Sequence, residues 1–274
     1  MKSESLNFSW GKNEVLKDIS FSIEPNQIVS ILGVNGAGKS TLIKCLNGIL
    51  KPESGEVEVI AKPDPDSEEE KMVNISSLDL VGLSKVMSYV PQSVRSSFSM
   101  DVFDVVLLGR RPHIRWRITE GDRDKVSETL RFLNLEDFAF RKFDEISGGE
   151  RQRVIIAKAI AQDPNLFLFD EPTSDLDLKN QIQIMKCIKK LIKDDDSKKS
   201  ALIAIHDINI AARFSDKIIL LSDAKIKAFG PPQDVLTEQN IADVFGVTSS
   251  VNMTDEGYIR VIVDDEIEEI EVKE

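Results

Sequence analysis

The sequence predicts an α/β fold with a mainly parallel sheet, because short apolar runs alternate with helical patterns along most of the chain. The apolar runs are nearly continuous and end in turn or polar residues, as expected for strands covered on both faces of a sheet. They span residues 28–32, 86–90, 166–169, 201–205 and 218–221. Helical patterns cover residues 39–47, 154–162 and 180–193.

Two regions depart from this alternation. Residues from about 93 to 162 have mostly helical patterns, with Asp101 before one apolar run, and we interpret them as a helical insertion subdomain. Near the beginning, residues 8–10, 15–23 and 55–60 alternate apolar and polar side chains. That alternation predicts an N-terminal subdomain built on a half-exposed antiparallel sheet.

Composition excludes several classes of protein. Apolar residues make up 41% of the 274 residues and charged residues 30%, as in an ordinary globular domain. The net charge of -12 argues against a nucleic-acid binder. Without a run of roughly 18 apolar residues or a signal-peptide pattern, we expect the chain to stay in the cytoplasm. Cys45 and Cys187 lie far apart, and we expect neither a disulfide nor a structural metal.

Two acidic segments have no assigned role. Residues 62–71 are expected to form a solvated loop, and residues 264–274 an edge strand or a tail. We place the end of the main domain at residue 247, with 248–274 as a C-terminal acidic extension.

The stretch from Gly33 to Ser40 fits the pattern GxxxxGK[ST] between a buried-type strand and a helix, which is the context that this motif requires. Such a loop binds a triphosphate through its amides and the following helix N-terminus. Lys39 would reach the outer phosphates, and the Ser40 hydroxyl would bind Mg²⁺. A plain glycine turn is the alternative. The candidate contact residues are Gly33, Asn35, Gly36, Ala37, Gly38, Lys39, Ser40 and Thr41.

Two adjacent carboxylates, Asp170 and Glu171, follow the apolar run at 166–169. Ligands of open α/β sheets bind at the carboxyl ends of the strands. Asp170 would hold Mg²⁺ through its water shell, and Glu171 would accept a proton from the attacking water. Taken alone, the pair could also be a polar strand end.

A second glycine motif lies at residues 145–154, EISGGERQRV. Ser147 and Glu150 have the spacing of a capping box, and Gly148 and Gly149 leave the helix-start amides open to an anion. A capped surface helix without a ligand is the alternative.

Six motifs together resemble the ATP-binding-cassette (ABC) transporter family: GVNGAGKST, YVPQ, ISGGERQ, LFLFDEP, TSDLD and IAIHD. The resemblance covers nearly all of residues 1–247 and implies an ABC ATPase core of the P-loop NTPase class. It further implies that two subunits close head to tail as a homodimer when ATP binds. The helix beginning at Ser147, Gly148, Gly149 and Glu150 of one subunit would then complete the ATP site of the other.

The resemblance also implies roles for single residues. Trp10, with Val15, would stack on adenine, where the family usually has Tyr. Gln92 would contact Mg²⁺ and link the site to the helical insertion, His206 would contact the γ-phosphate, and Asp177 would act across the dimer. Without the resemblance, each polar residue could be an ordinary surface group and Trp10 a partial core residue.

Three positions depart from the family pattern. Glu150 replaces the commoner Gln and adds negative charge near the phosphates, Ile146 replaces Leu, and Asp175 stands where a small or neutral residue is usual. Glu150 could instead turn back to cap Ser147.

The segments 102–113, 206–221 and 231–247 are similar to ATPases of importers for iron-siderophore complexes, haem and cobalamin. This likeness implies separate integral membrane permease subunits, an extracytoplasmic substrate-binding protein and a peripheral position on the cytoplasmic face of the membrane. Only about a hundred residues separate Lys39 from Ser147, without sustained heptads, which excludes the long coiled-coil relatives of chromosome maintenance and DNA repair.

A basic cluster would lie near the face that grips the membrane partner, or would simply be solvated. Its members are Arg110, Arg111, His113, Arg115 and Arg117. Two other functions stay open at this point. One is a soluble ABC ATPase that serves iron-sulfur cluster assembly, and the other is a nucleotide-switch binding module.

Overall fold

The computed structural model describes residues 1–62, 69–92, 99–174, 176–194 and 198–267. Within these ranges the chain forms twelve strands and nine α-helices. The strands are β1 (Lys2–Trp10), β2 (Asn13–Ser22), β3 (Ile28–Leu32), β4 (Ser54–Ala61), β5 (Lys71–Asn74), β6 (Met87–Val90), β7 (Leu166–Asp170), β8 (Ser200–Ala204), β9 (Lys217–Ser222), β10 (Lys225–Gly230), β11 (Val247–Met253) and β12 (Ile259–Glu266). The helices are α1 (Lys39–Leu46), α2 (Leu80–Val86), α3 (Val102–Leu107), α4 (Glu120–Phe132), α5 (Gly148–Ala161), α6 (Leu178–Ile192), α7 (Ile208–Phe214), α8 (Pro232–Val235) and α9 (Glu238–Phe245).

The central sheet has six strands in the order β10-β9-β3-β8-β7-β6. Neighbouring strands from β9 to β6 are parallel, and only the edge strand β10 is antiparallel to its neighbour in this sheet. Every residue of β3, β7 and β8 is buried, because helices cover both faces. The predicted α/β fold with a mainly parallel sheet is confirmed.

The N-terminal sheet is antiparallel, with the strand order β2-β1-β4-β5. In β4, the side chains of Val57, Val59 and Ala61 are buried and alternate with more exposed positions. The buried residues belong to one core cluster that also contains Leu42 and Leu46 of α1. Helix α1 therefore joins the N-terminal sheet to the central sheet, and the predicted antiparallel sheet is confirmed.

The middle of the chain is mostly helical where it is described, as predicted, and a loop at residues 111–119 separates two of its helices. Helices α3, α4 and α5 share a core cluster that includes Val106, Val126 and Ala157. Helix α5 begins at Gly148, several residues before the apolar pattern at 154–162, because a capped polar turn precedes its buried part. Gly109 lies at the close contact with α5, where an added Cβ would meet the Lys158 carbonyl oxygen at 2.1 Å.

The C-terminal strands β11 and β12 form an antiparallel hairpin that packs against α7 and α9. The Asn209 side chain donates to the Val261 carbonyl at 3.0 Å and accepts from the Val261 amide at 2.8 Å. Asp264 to Glu266 therefore end a strand, while residues 268–274 lie outside the described residues, as do 63–68 of the acidic loop. The division at residue 247 stays a prediction. No described helix is long and apolar enough to span a bilayer.

Replacing Gly109 by Ala should lower the free energy of unfolding by about 1–3 kcal/mol, because a methyl group cannot fit against the α5 backbone. Urea unfolding measures this change. Gly121→Ala is the matched control, since the nearest atom to its new Cβ would lie 3.9 Å away. That control should keep or slightly raise stability, and equal stability of both variants would contradict the packing described here.

Candidate active site

The loop from Gly33 to Ser40 connects β3 to α1, as the motif requires. Gly38 is the N-cap of α1, with φ +99°, and a Cβ at this position would lie 2.9 Å from the Val15 carbonyl oxygen. A Cβ on Gly33 would lie 2.4 Å from the Leu221 carbonyl oxygen. Neither position accepts a side chain, so the loop can wrap tightly over the edge of the sheet.

Lys39 is buried within this loop. Its Nζ donates to the carbonyl oxygens of Gly33 at 2.9 Å and Val34 at 3.1 Å. Burial lowers the pKa of Lys39 below its usual value, and the charges of Glu171 and Asp170 partly oppose that shift. The ammonium group thus lies close to the glycine loop and within the field of two carboxylates.

Asp170 ends β7, and both of its carboxylate oxygens accept hydrogen bonds. Ser40 Oγ donates to Oδ1 at 2.7 Å, and the Tyr89 hydroxyl donates to Oδ2 at 3.2 Å. Burial, followed by the charge of Asp170, raises the pKa of Tyr89. A hydroxyl beside a carboxylate offers the oxygen ligands that Mg²⁺ prefers. Among the described residues, no group of three or more His, Cys, Asp and Glu could hold a metal.

Glu171 is held by two side chains on opposite oxygens. Gln92 Nε2 donates to Oε2 at 2.8 Å, and His206 Nε2 lies 2.5 Å from Oε1. The backbone of Glu171 has φ +52°, a left-handed conformation that non-glycine residues rarely adopt. Its amide donates to the Ala204 carbonyl at 3.2 Å. These contacts fix the carboxylate at the carboxyl edge of the central sheet.

A cleft of about 540 Å³ brings most of the predicted nucleotide contacts together. Trp10 is 57% exposed at its rim and makes an edge-to-face contact with Phe8, at 5.1 Å between centroids, so it is not a core residue. Asp170 does not line the cleft itself but accepts a hydrogen bond from Ser40, which does. Gly33 and Ala37 belong to the same loop but are not among the lining residues. The cleft is lined by Trp10, Asn13, Val15, Asn35, Gly36, Gly38, Lys39, Ser40, Thr41, Gln92, Glu171 and His206.

Tyr89 and Asn13 were missed by sequence reasoning. Tyr89 stands within the YVPQ motif, three residues before Gln92, which was a usable signal. Asn13 follows the turn between β1 and β2, and nothing in its neighbours distinguishes it from an ordinary turn residue.

The second glycine motif forms the start of α5, and the predicted capping box is present. The Glu150 carboxylate accepts from the Ser147 amide at 2.8 Å and from its hydroxyl at 2.7 Å. The hydrogen bond from the Ser147 hydroxyl, followed by the one from its amide, lowers the pKa of Glu150. Glu150 therefore turns back onto Ser147. A Cβ on Gly148 would meet nothing within 4 Å, so the helix start is open on that side.

The residues of this helix start, Ser147, Gly148, Gly149 and Glu150, do not line the nucleotide cleft of the same chain. Gly148 instead lines a smaller cavity of about 140 Å³, which also contacts Gln92 and Glu171. Ile146 is buried. Asp177 caps α6 by accepting from the Asn180 amide at 2.8 Å, and Asp175 lies outside the described residues.

Comparisons with known proteins identify the family of the chain. The profile of the ABC transporter family matches residues 16–174, more than half of the chain. An uncharacterized ABC transporter ATP-binding protein of Methanocaldococcus jannaschii is 42% identical over 248 residues, which cover 90% of this chain and 92% of that protein. The petrobactin import ATP-binding protein YclP of Bacillus subtilis is 34% identical, over 92% of this chain and 95% of its own length.

Among solved structures, an inward-facing transporter described as being of the metal-chelate ABC type superposes with a TM-score of 0.78 at 28% identity. The match covers 96% of each chain. One family assignment follows from three observations: the fold, the glycine loop with its two carboxylates, and the length of these matches. The chain belongs to the ABC transporter family, whose ATP-binding proteins are ATPases coupled to transport.

Proposed function

We propose that this chain is the Mg²⁺-dependent ATP-hydrolysing subunit of an importer that takes up a metal chelate such as an iron-siderophore complex, haem or cobalamin. ATP hydrolysis is supported mainly by the position of the Glu171 carboxylate, which lies between Gln92 and His206 at the cleft. A carboxylate fixed in this way, opposite a phosphate-binding loop, suits a general base.

ATP binds along the cleft. The loop amides from Asn35 to Thr41 and the N-terminus of α1 cradle the phosphates, while the exposed ring of Trp10 stacks on adenine beside Val15. Lys39 turns from its loop carbonyls toward the outer phosphates. Ser40, Asp170 and Gln92 would hold Mg²⁺, which would supply neutralisation of charge on the phosphates.

In the hydrolytic step Glu171 accepts a proton from the attacking water, and His206 donates a hydrogen bond toward the γ-phosphate. His206 lies within hydrogen-bond distance of Glu171, so it would exchange this partner for the phosphate when ATP binds. The left-handed backbone of Glu171 fits this role, because strained conformations concentrate at functional sites.

A second copy of the chain completes the site. Ser147 and Gly148 lie at an open helix start outside the cleft of their own chain, and α5 is long enough, at 14 residues, to present a strong N-terminal dipole. Head-to-tail closure brings this helix start onto the phosphates bound by the partner. Asp177, at the N-terminus of α6, contributes across the same interface.

Transport would involve further subunits. Separate permease subunits span the membrane, an extracytoplasmic binding protein delivers the cargo, and the ATPase lies peripherally on the cytoplasmic face. Leu80, at 84% exposed, and Val81 on α2 offer the permease an apolar surface, and β6 leads from there to Gln92. The names of YclP and of the metal-chelate transporter favour this importer over an assembly factor for iron-sulfur clusters. Co-purification with membrane subunits in mild detergent tests the choice.

Glu171→Gln should bind ATP, lose hydrolysis by a factor of about 10² to 10⁴, and accumulate as a dimer, because closure no longer leads to cleavage. Light scattering with Mg²⁺ and ATP measures the dimer. Glu128→Gln, an exposed carboxylate on α4, is the control and should behave as the wild type. A Glu171→Gln chain that stays monomeric with saturating ATP, or a wild-type monomer with full activity, would refute the shared site.

Glu171→Gly should be more stable than Glu171→Ala by about 1 kcal/mol, since only glycine adopts φ +52° without strain. Both variants lack the carboxylate, so the difference between their free energies of unfolding in urea reports the backbone strain alone. The opposite order, with Ala more stable, would show that this left-handed conformation stores no strain.

Ser147→Trp should leave ATP binding to the separate chain intact and abolish both dimerisation and hydrolysis, because the indole blocks the open helix start. Nucleotide titration and ATPase assays measure the two effects. Ser127→Trp, exposed on α4, is the matched control and should change neither. Wild-type turnover by Ser147→Trp would favour a nucleotide-switch module that acts without this helix.

A further inference from the structure

The loop between α3 and α4 carries an unusual exposed group. Trp116 is 98% exposed, and Arg115 and Arg117 on either side of it are exposed as well. Ile118, next along the chain, is 42% exposed. Exposing the apolar surface of an indole ring to water is unfavourable. A fully exposed ring between two cations therefore indicates a surface that contacts another molecule.

The base of this loop is fixed. Arg110 Nε lies 3.1 Å from Asp122 Oδ1, and its Nη1 donates to the Ala161 carbonyl at 2.9 Å. The His113 ring lies 2.8 Å from the Gln162 carbonyl oxygen. The loop is thus tied to the start of α4 and the end of α5, and residues 115–117 project from a rigid support.

The tip of this loop, residues 115–117, is locally positive although the whole chain has a net charge of -12. No carboxylate occurs from residue 110 to 118, and Glu120 is the first after the tip. Asp122 is already engaged by Arg110 and Thr119. In the part of the chain that the structure describes, neither Arg115 nor Arg117 has a carboxylate within salt-bridge distance.

The loop lies on the α2 side of the molecule. Gln162, whose carbonyl holds His113, also donates through Nε2 to the carbonyls of Ser84 at 2.5 Å and Met87 at 2.8 Å. Ser84 belongs to α2, which carries the exposed Leu80 and Val81. Gln162 therefore contacts both the base of the positive tip, through His113, and the apolar helix α2, through Ser84.

We propose that Arg115, Trp116 and Arg117 bind an anionic lipid surface. Trp places its ring at the level of the headgroups, and arginine pairs with lipid phosphates while its aliphatic stem stays in apolar surroundings. A stable protein interface needs roughly 800 Å² on each partner, whereas a bilayer accepts three projecting side chains. The exposure and charge of the tip therefore favour lipid over a protein pocket.

This binding site goes beyond ATP hydrolysis and import, and it uses no residue of the nucleotide cleft. It would hold the subunit at the membrane between cycles of association with the permease. Its failure is distinguishable from failure of the proposed function, because ATPase activity in solution does not depend on the tip.

The test is co-sedimentation of the full chain with vesicles of phosphatidylcholine alone or mixed with phosphatidylglycerol. The wild type should bind only the mixed vesicles, and added salt should weaken binding. Arg115→Ala with Arg117→Ala should weaken it about 25-fold, at about fivefold per arginine. Trp116→Ala should weaken it about tenfold. Arg115→Lys with Arg117→Lys should largely keep it.

Lys179→Ala with Lys186→Ala, which removes two exposed positive charges from α6, is the matched control and should bind as the wild type. All of these variants should hydrolyse ATP in solution at the wild-type rate. Fluorescence gives a second measure, because the chain has two tryptophans and Trp10→Phe leaves Trp116 as the reporter. Its emission should shift to shorter wavelength on mixed vesicles.

Two results would overturn the proposal. One is wild-type protein that stays in the supernatant with the mixed vesicles. The other is binding that the Trp116→Ala and double-arginine variants retain as fully as the lysine control. If the same variants instead lose a permease subunit in detergent while vesicle binding is absent, the tip serves a protein partner and the lipid assignment is wrong.

Discussion

The site depends on keeping three ionisable side chains, Lys39, Asp170 and Glu171, buried together at the carboxyl edge of the sheet. Buried charges are costly unless they are paired and hydrogen-bonded, and here each has partners. Lys39 contacts two loop carbonyls, Asp170 accepts from Ser40 and Tyr89, and Glu171 lies between Gln92 and His206. The glycine loop makes this possible, because only a backbone without side chains can approach the sheet so closely.

The same contacts connect the nucleotide cleft to the helical region. Gln92 reaches Glu171 and also lines the small cavity beside Gly148 and Arg151 of α5. A displacement of Glu171 would therefore reach α5 through one side chain. On the other side, His206 is followed by α7, whose Asn209 is bonded to β12. The carboxyl edge of the sheet around Glu171 thus contacts elements from the middle and from the C-terminal part of the chain.

Local patterns were enough to predict much of this. The apolar runs identified five of the six strands of the central sheet, because strands covered on both faces are nearly continuously apolar. The half-exposed edge strand β10 was not predicted. The loop at 33–40 was identified by its glycines and its lysine. Contacts that depend on tertiary structure were not predictable. The Tyr89 hydrogen bond to Asp170 joins neighbouring strands, and the Asn209 clamp on Val261 spans 52 residues. Glu150 had two available partners, and only the folded helix start decides for Ser147.

We propose that one bound ATP is enclosed by the glycine loop of one copy and the open helix start of another. Amide hydrogen exchange tests it most directly, with the wild-type chain, Mg²⁺ and a non-hydrolysable ATP analogue at a concentration that permits dimers. We expect slower exchange at both 35–41 and 147–150. Protection of the loop alone, with the helix start exchanging as it does without nucleotide, would contradict it.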